Sequence, residues 1–199
     1  MELTIASSNR NKINRMRKIL KDISPSTIID DISALPMLLP KETGKSEREN
    51  LLIKLNYYFD ALHKNIICED DGIEVIVNNE CQNVSELIAT FNAKKEPFSL
   101  WKAYFARKSI TSGRLIKYFG IQSSLGSSVE KVEIPITITY SDVKYAREEL
   151  NILNNFIVPV DGDKVFADMM DEDRSKYIGR FITPVIGRLM RKMGYVVNQ

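Results

Sequence analysis

A single histidine, His63, and only two cysteines, Cys68 and Cys81, leave this 199-residue chain short of the side chains that most often build metal centres and triads. With one imidazole, serine-type triads and histidine zinc sites have almost nothing to build on. Two cysteines are too few for a disulfide framework, and each sits in an apolar or mixed stretch, the setting of a reduced thiol in a cytosolic protein. No apolar run approaches the roughly eighteen residues of a membrane span. The opening Leu3-Thr4-Ile5-Ala6 enters a strand with no secretory core, so the expectation is a cytoplasmic protein with no membrane partner. One-sided charge is missing too: 28 Lys and Arg stand against 26 Asp and Glu, net +2, which gives no general attraction for nucleic acid. Any chemistry must run on carboxylates, lysines and arginines. A hydrophobic content of 44% over this length can bury a large core, as one domain or as two lobes around a cleft.

The most informative stretch is Ile66-Ile67-Cys68-Glu69-Asp70-Asp71-Gly72-Ile73-Glu74-Val75-Ile76-Val77, where three consecutive acids interrupt what otherwise reads as buried strand. Three adjacent carboxylates repel one another and are tolerated at a strand end when a cation or polar ligand neutralises them. The local pattern alone favours a plainer reading, an Asp-Gly turn joining two strands of a hairpin.

Earlier in the chain, Leu3–Ala6 reads as a strand, Ser7 to Lys12 as a polar turn, and Ile13, Met16, Ile19 and Leu20 as the apolar face of a helix. Ser8 and Asn9 at that helix start can cap free N–H groups, and the same N–H groups with Arg10 and Lys12 can hold a phosphate. The segment by itself supports either a capped, solvated basic helix or an anion site. Pro25, Pro36 and Pro40 bracket a short strand at Thr27-Ile28-Ile29 and an apolar loop, Leu35 to Leu39, and rule out a long helix there. Ser46 with Glu49 forms a capping box, so a helix is expected from Glu47 to about His63. Leu51, Leu55, Tyr58 and Leu62 make its core stripe, and Asn50 and Lys54, four apart, share a face suited to a polyanion.

Three motifs taken together resemble the inosine triphosphate pyrophosphatase family. They are Ser8-Asn9-x-x-Lys12 after a first strand, Glu42-Thr43-Gly44 leading into Glu49-Asn50-x-x-x-Lys54, and Glu69-Asp70-Asp71-Gly72-Ile73. Phe156-Ile157-Val158-Pro159, then Lys164 to Met169, then acids and Arg174 resemble that family's run into its last substrate-binding helix. The resemblance implies an α/β fold: a long twisted mixed β-sheet flanked by helices, two lobes around a central cleft, in one domain spanning residues 1–199. It also implies hydrolysis of ITP-, dITP- or XTP-type nucleoside triphosphates to monophosphate and pyrophosphate, with Mg2+ as cofactor, and a homodimer. On that reading Glu42 and Asp70 hold the metal, Glu69 or Asp71 supports it through water, and Asp70 is the catalytic base. Ser8, Asn9, Lys12, Asn50 and Lys54 take the phosphate tail, and Asp71, Arg174 and Arg180 complete the substrate site. The groups suit the chemistry, since triphosphate hydrolysis needs a cation on phosphate oxygens, a carboxylate to orient water and positive charge for the leaving group.

The departures are as informative. Where the family carries a Ser-His-Arg triplet, this chain has Ile178-Gly179-Arg180, keeping only the arginine. The Phe-Gly-Tyr-Asp loop that reads the base should precede Phe156, but Leu150 to Asn155 stands there, and the small-residue segment after the acidic motif is unrecognisable in Asn78 to Ser85. A pocket without its hydrogen bonds to the 6-oxo group discriminates bases poorly unless other residues replace them. Residues 84–145 match nothing in the family. Val84 to Phe91 reads as a helix, Leu100 to Lys108 as an amphipathic strand or helix, and Gly120 to Ser128 as flexible. Val132, Ile134, Ile136 and Ile138 share one face of a strand from Val129 to Tyr140, with Pro135 marking an edge or a bulge. Basic and aromatic residues interleave from Lys94 to Lys117, as in a base-stacking surface or as core aromatics beside solvated lysines. Two functions are therefore expected from this sequence: a pyrophosphatase of altered or relaxed base preference, or a sensor that binds such a nucleotide, turns it over slowly or not at all, and regulates a partner effector protein in a hetero-complex.

Overall fold

The computed structural model describes residues 1–33, 39–140, 144–145 and 151–198; the loop expected at Leu35 to Leu38 lies outside them. In chain order the elements are β1 (Glu2–Ile5), α1 (Arg10–Ile23), β2 (Ile28–Asp31), α2 (Glu47–Leu62), β3 (Ile66–Val77), β4 (Glu80–Asn83), α3 (Ser85–Asn92), α4 (Pro97–Arg107), β5 (Ser112–Ser123), β6 (Gly126–Ile138), a 3-10 turn (Ile152–Asn155), β7 (Ile157–Pro159) and α5 (Asp171–Lys192). The strands form one seven-stranded sheet in the order β2-β1-β3-β5-β6-β7, with β4 paired to β3. β1 runs parallel to both β2 and β3, while β4 and β7 pair antiparallel to β3 and β6, so the sheet is mixed as expected. By backbone contacts the chain divides into two compact units, one of Met1–Asp71, Lys117–Val132 and Gly179–Gln199, the other of Gly72–Ile116 and Glu133–Ile178.

In the first unit, α1 buries Ile13, Met16, Ile19 and Leu20, the four residues whose spacing marked its apolar face. Asn9 caps that helix, its Oδ1 accepting from the N–H groups of Asn11 at 2.9 Å and Lys12 at 3.3 Å. Ser46 caps α2 by accepting from Glu49 N–H, and the Glu49 carboxylate reaches back to Lys45 N–H at 2.7 Å, one residue short of the usual capping-box partner. Leu51, Leu55 and Tyr58 pack with Ala6, Ile32, Ile66 and Cys68 into one cluster, and Leu62 lies only partly buried at its margin. His63 ends α2 in the left-handed region at φ 52°.

Residues 120–128, read as flexible, instead complete one hairpin: β5 runs to Ser123, two residues turn, and β6 begins at Gly126, whose φ is +124°. Gly120 is required by packing rather than by flexibility. A Cβ there would lie 2.4 Å from Leu55 Cδ1 and 3.2 Å from Leu51 Cδ2. Both leucines are fully buried and cannot retreat. Gly120→Val is therefore expected to cost about 1–3 kcal/mol, the scale of overpacking a filled core. A thermal melt no lower than that of the parent protein would show that α2 and β5 are not packed so closely.

The second unit is organised by aromatic rings. The stretch left open between strand and helix is α4, started by Pro97 at its first turn, and it fully buries Trp101 and Phe105. Phe91 of α3 meets Trp101 edge-on at 4.7 Å between centroids, Trp101 stacks on Phe105 at 5.4 Å, and Phe105 meets Phe156 at 5.6 Å. Among the interleaved basic and aromatic residues, Trp101 and Phe105 are core rings and Arg107 and Lys108 are exposed, whereas Lys117 is buried. β6 buries Val132, Ile134, Ile136 and Ile138 in strict alternation, as read. It is not a free edge, because it lies between β5 and β7 and Ile136 to Ile138 pair with β7, with Pro135 one residue outside that pairing. Cys68 is buried and Cys81 exposed, and both are free thiols. No helix among the described residues is long and apolar enough to cross a membrane.

Candidate phosphate and metal site

The acidic trio sits inside a continuous strand, not in a turn, because β3 runs unbroken through it to Val77. Alternation along a strand then sends neighbouring carboxylates to opposite faces, which is how three adjacent acids coexist. Glu69 and Asp70 are buried, at 5% and 9% exposure, whereas the Asp71 side chain is 37% exposed.

Two ion-pair groups result. On one side, Lys54 Nζ lies 2.9 Å from Glu42 Oε1 and 3.2 Å from Asp70 Oδ1, so one ammonium joins two carboxylates. Asp71 N–H also donates to Asp70 Oδ1 at 3.0 Å and fixes that carboxylate. Burial pushes the Asp70 carboxyl above its ordinary range; Lys54 offsets this only in part. On the other side, Glu69 Oε1 is contacted by Arg15 Nη2 and by Lys117 Nζ at 3.1 Å, with Lys12 Nζ at 4.0 Å. Asp71 bridges Lys117 at 2.6 Å and Lys12 at 2.9 Å. Burial works against the Asp71 anion, but Lys117, Lys12 and Arg15 together hold its carboxyl well below the usual range.

A cavity of about 300 Å³ opens beside these groups, at the small end of the range for ligand sites. Its walls include Ser8, Asn9, Lys12, Glu42, Lys54, Glu69 and Asp70 of the expected site, together with Tyr58 and the apolar pair Leu39 and Pro40. All of these residues belong to the first unit. Glu42 is placed by the loop in front of α2. Asn50 Oδ1 accepts from Gly44 N–H at 2.8 Å, and a Cβ on Gly44 would fall 2.7 Å from that same oxygen and 2.8 Å from the Asn50 nitrogen. Asn50 therefore seats the Glu42 loop rather than facing the cavity. Asn9 borders the cavity while its side-chain oxygen is spent on capping α1, as the capped-helix reading expects.

The two C-terminal arginines are placed differently. Arg174, in the second unit, donates to the Phe166 carbonyl at 3.0 Å and to Asp171 at 2.7 Å. Arg180 is exposed on α5, with its guanidinium 5.6 Å from the Phe181 ring centre, and it is not among the residues lining the cavity. Two participants escaped the sequence reading. They are Arg15 of α1 and Lys117 of β5, and both reach Glu69.

Among the described residues no three acidic, cysteine or histidine side chains form a ready-made metal cluster. The donors present nonetheless suit a hard divalent cation. Glu42 and Asp70 bring carboxylate oxygens to one point, now held by the Lys54 ammonium, and Glu69 Oε2 is buried beside the cavity with no hydrogen-bond partner. All-oxygen coordination completed by water is what magnesium prefers.

Residues 3–95 match the model of the Ham1 family. A dITP/XTP pyrophosphatase of Staphylococcus aureus is 26% identical over 180 residues, spanning 88% of each chain. The solved structure of the Staphylococcus aureus Ham1 protein superposes with a TM-score of 0.68 at 20% identity, over 97% of this chain and 98% of that one. A HAM1 protein from Coxiella burnetii gives 0.72 at 13% identity, over 94% and 99%. Fold and site thus define a mixed-sheet α/β protein with a carboxylate-lysine pocket. The chain is similar to the Ham1 family over residues 3–95 and shares its fold with solved Ham1 proteins.

Proposed function

We propose that the chain is a magnesium-dependent pyrophosphatase of deaminated purine nucleoside triphosphates, of the inosine or xanthosine type, with altered base recognition. The observation that carries this reading is the meeting of Glu42 and Asp70 on Lys54 beside a cavity that Lys12 and the start of α1 also border. Glu42 and Asp70 would hold the cation, whose charge on the phosphate oxygens is what it supplies to the reaction. Lys54, released from its two carboxylates, and Lys12 bind the triphosphate. Asp70, whose proton affinity burial raises and whose carboxylate the Asp71 N–H fixes, orients a water and takes its proton as the α–β phosphoanhydride breaks and pyrophosphate leaves.

A second reading is kept by one observation: the family triplet position is filled by Ile178 and Gly179, and Ile178 is buried at 7% exposure. Loss of base-reading groups with retention of the phosphate site fits a nucleotide sensor acting on an effector protein. A homodimer in the cytoplasm remains part of the proposal, readable by light scattering. The deciding experiment incubates purified protein with magnesium and a panel of ribo- and deoxyribonucleoside triphosphates, following binding and pyrophosphate release in parallel. Release from inosine or xanthosine substrates is the expected result. Binding without release would favour the sensor, and binding to none would remove both readings.

A further inference from the structure

The two lysines bordering the cavity are not idle. Lys54 is shared by the proposed metal carboxylates, but Lys12 is held by a carboxylate that the reaction does not use. Asp71 Oδ2 lies 2.9 Å from Lys12 Nζ, while Asp71 Oδ1 lies 2.6 Å from Lys117 Nζ. Lys117 is 5% exposed and comes from β5, the strand beside β3, where it also meets Glu69. Asp71 therefore has one anchor that is buried and one that faces the ligand cavity. Its side chain is 37% exposed, so it has room to leave Lys12 without leaving Lys117.

We propose that Asp71 is a built-in competitor for Lys12: it occupies the ammonium that a phosphate would take, and ligand binds by exchanging one anion for another while Lys117 retains the displaced carboxylate. This rests on the reading of the cavity as a polyphosphate site and adds a selectivity device to it. A ligand bearing no more charge than a carboxylate gains little by the exchange, because the Lys12 ion pair lost equals the one made. A pyrophosphate or triphosphate group brings several charges to the same ammonium and wins. The device sets a threshold against weakly charged anions and lowers affinity for every ligand that needs Lys12. The usual expectation for an acid within a family motif, that it touches substrate or metal, is replaced here by an ion-pair role.

The test is a double-mutant cycle read by calorimetric binding of inorganic tripolyphosphate and pyrophosphate to the full chain without metal. Asp71→Asn keeps the shape and removes the competitor, so binding is expected to tighten by about tenfold, the effect of freeing one partly buried ion pair of about 1.4 kcal/mol. In the Lys12→Met background the same substitution is expected to change affinity less than about twofold, since the contested ammonium is gone. Asp71→Glu, which keeps the charge, is expected to stay near the parent value. Unchanged or weaker binding by Asp71→Asn overturns the inference while leaving the site assignment intact. An equal gain with and without Lys12 also overturns it, reducing Asp71 to a general negative field. Absence of polyphosphate binding by the parent protein and by Asp71→Asn overturns both the inference and the site.

Discussion

Asp70→Asn is expected to lower pyrophosphate release by at least about a hundredfold, the scale of a lost general base, while triphosphate binding falls far less. The substitution keeps the side-chain shape and removes the charge that orients water. Lys54→Ala should give the opposite pattern, weakening binding itself by roughly 1–3 kcal/mol, because a lysine on phosphate acts in ground and transition states alike. Stability gives an independent reading of the same residue. The Asp70 carboxyl is raised above its ordinary value of 3.8 by burial, even with Lys54 beside it. Between that value and its raised native one, the folded protein keeps a proton that the unfolded chain has lost, so stability falls as pH rises through this window. Above it the whole cost of the buried charge is present. In metal-free buffer at pH 7, Asp70→Asn should therefore melt above the parent protein, and the gain should vanish as pH falls towards 3. Full activity in Asp70→Asn would place the chemistry elsewhere, and a lower melting point at pH 7 would mean that Lys54 already compensates the charge.

The elements that place the site could be read because each had a local signal that packing did not overturn. Ile13, Met16, Ile19 and Leu20 at helical spacing, and Ser46 before Glu49, are short-range patterns that survive in any fold. The acidic trio was harder. Its Asp-Gly step is a turn signal, yet flanking Ile66 to Cys68 and Ile73 to Val77 extend the strand through it, and the cations that make this tolerable lie far away in sequence. Arg15 is 54 residues from Glu69, and Lys117 is 46 from Asp71. Periodicity cannot report such pairings. A signal existed in each case: Arg15 is three residues after Lys12 and so shares its helix face, and Lys117 stands between Leu115 and Phe119 on one face of β5. Three adjacent acids in a buried strand themselves demand nearby cations. The middle of the chain was ambiguous for a different reason. Leu100 to Arg107 suits a helix or a strand, and the choice was made by Pro97 at a helix start and by ring packing of Trp101 and Phe105 against Phe91 and Phe156.

Lys117→Met should be the most damaging single change to the folded state of the first unit. The side chain is 6% exposed and serves two carboxylates, Glu69 Oε1 at 3.1 Å and Asp71 Oδ1 at 2.6 Å. Methionine fills the same volume but leaves the buried Glu69 to Arg15 and a more distant Lys12, and breaking one side of a buried pair costs about 3–5 kcal/mol. For a chain of this size that corresponds to a fall in melting temperature of about 6–20 °C. The acid limb should move as well. Asp71 is held below the ordinary carboxylate range first by Lys117, then by Lys12 and Arg15, against the cost of burial. A lowered native value gives stability that is present above the unfolded value of about 3.9 and is lost as pH falls through the native one. Without Lys117 the native value rises towards the unfolded one, so acid unfolding should begin at higher pH. Lys117→Arg restores a charge but not the fit, and should recover part of both effects. Circular dichroism melts at pH 7 and acid titrations in metal-free buffer read the two quantities. A Lys117→Met protein that melts within about 2 °C of the parent, less than the shift from 1 kcal/mol, would show that Arg15 alone neutralises Glu69 and that Lys117 adds nothing to the fold.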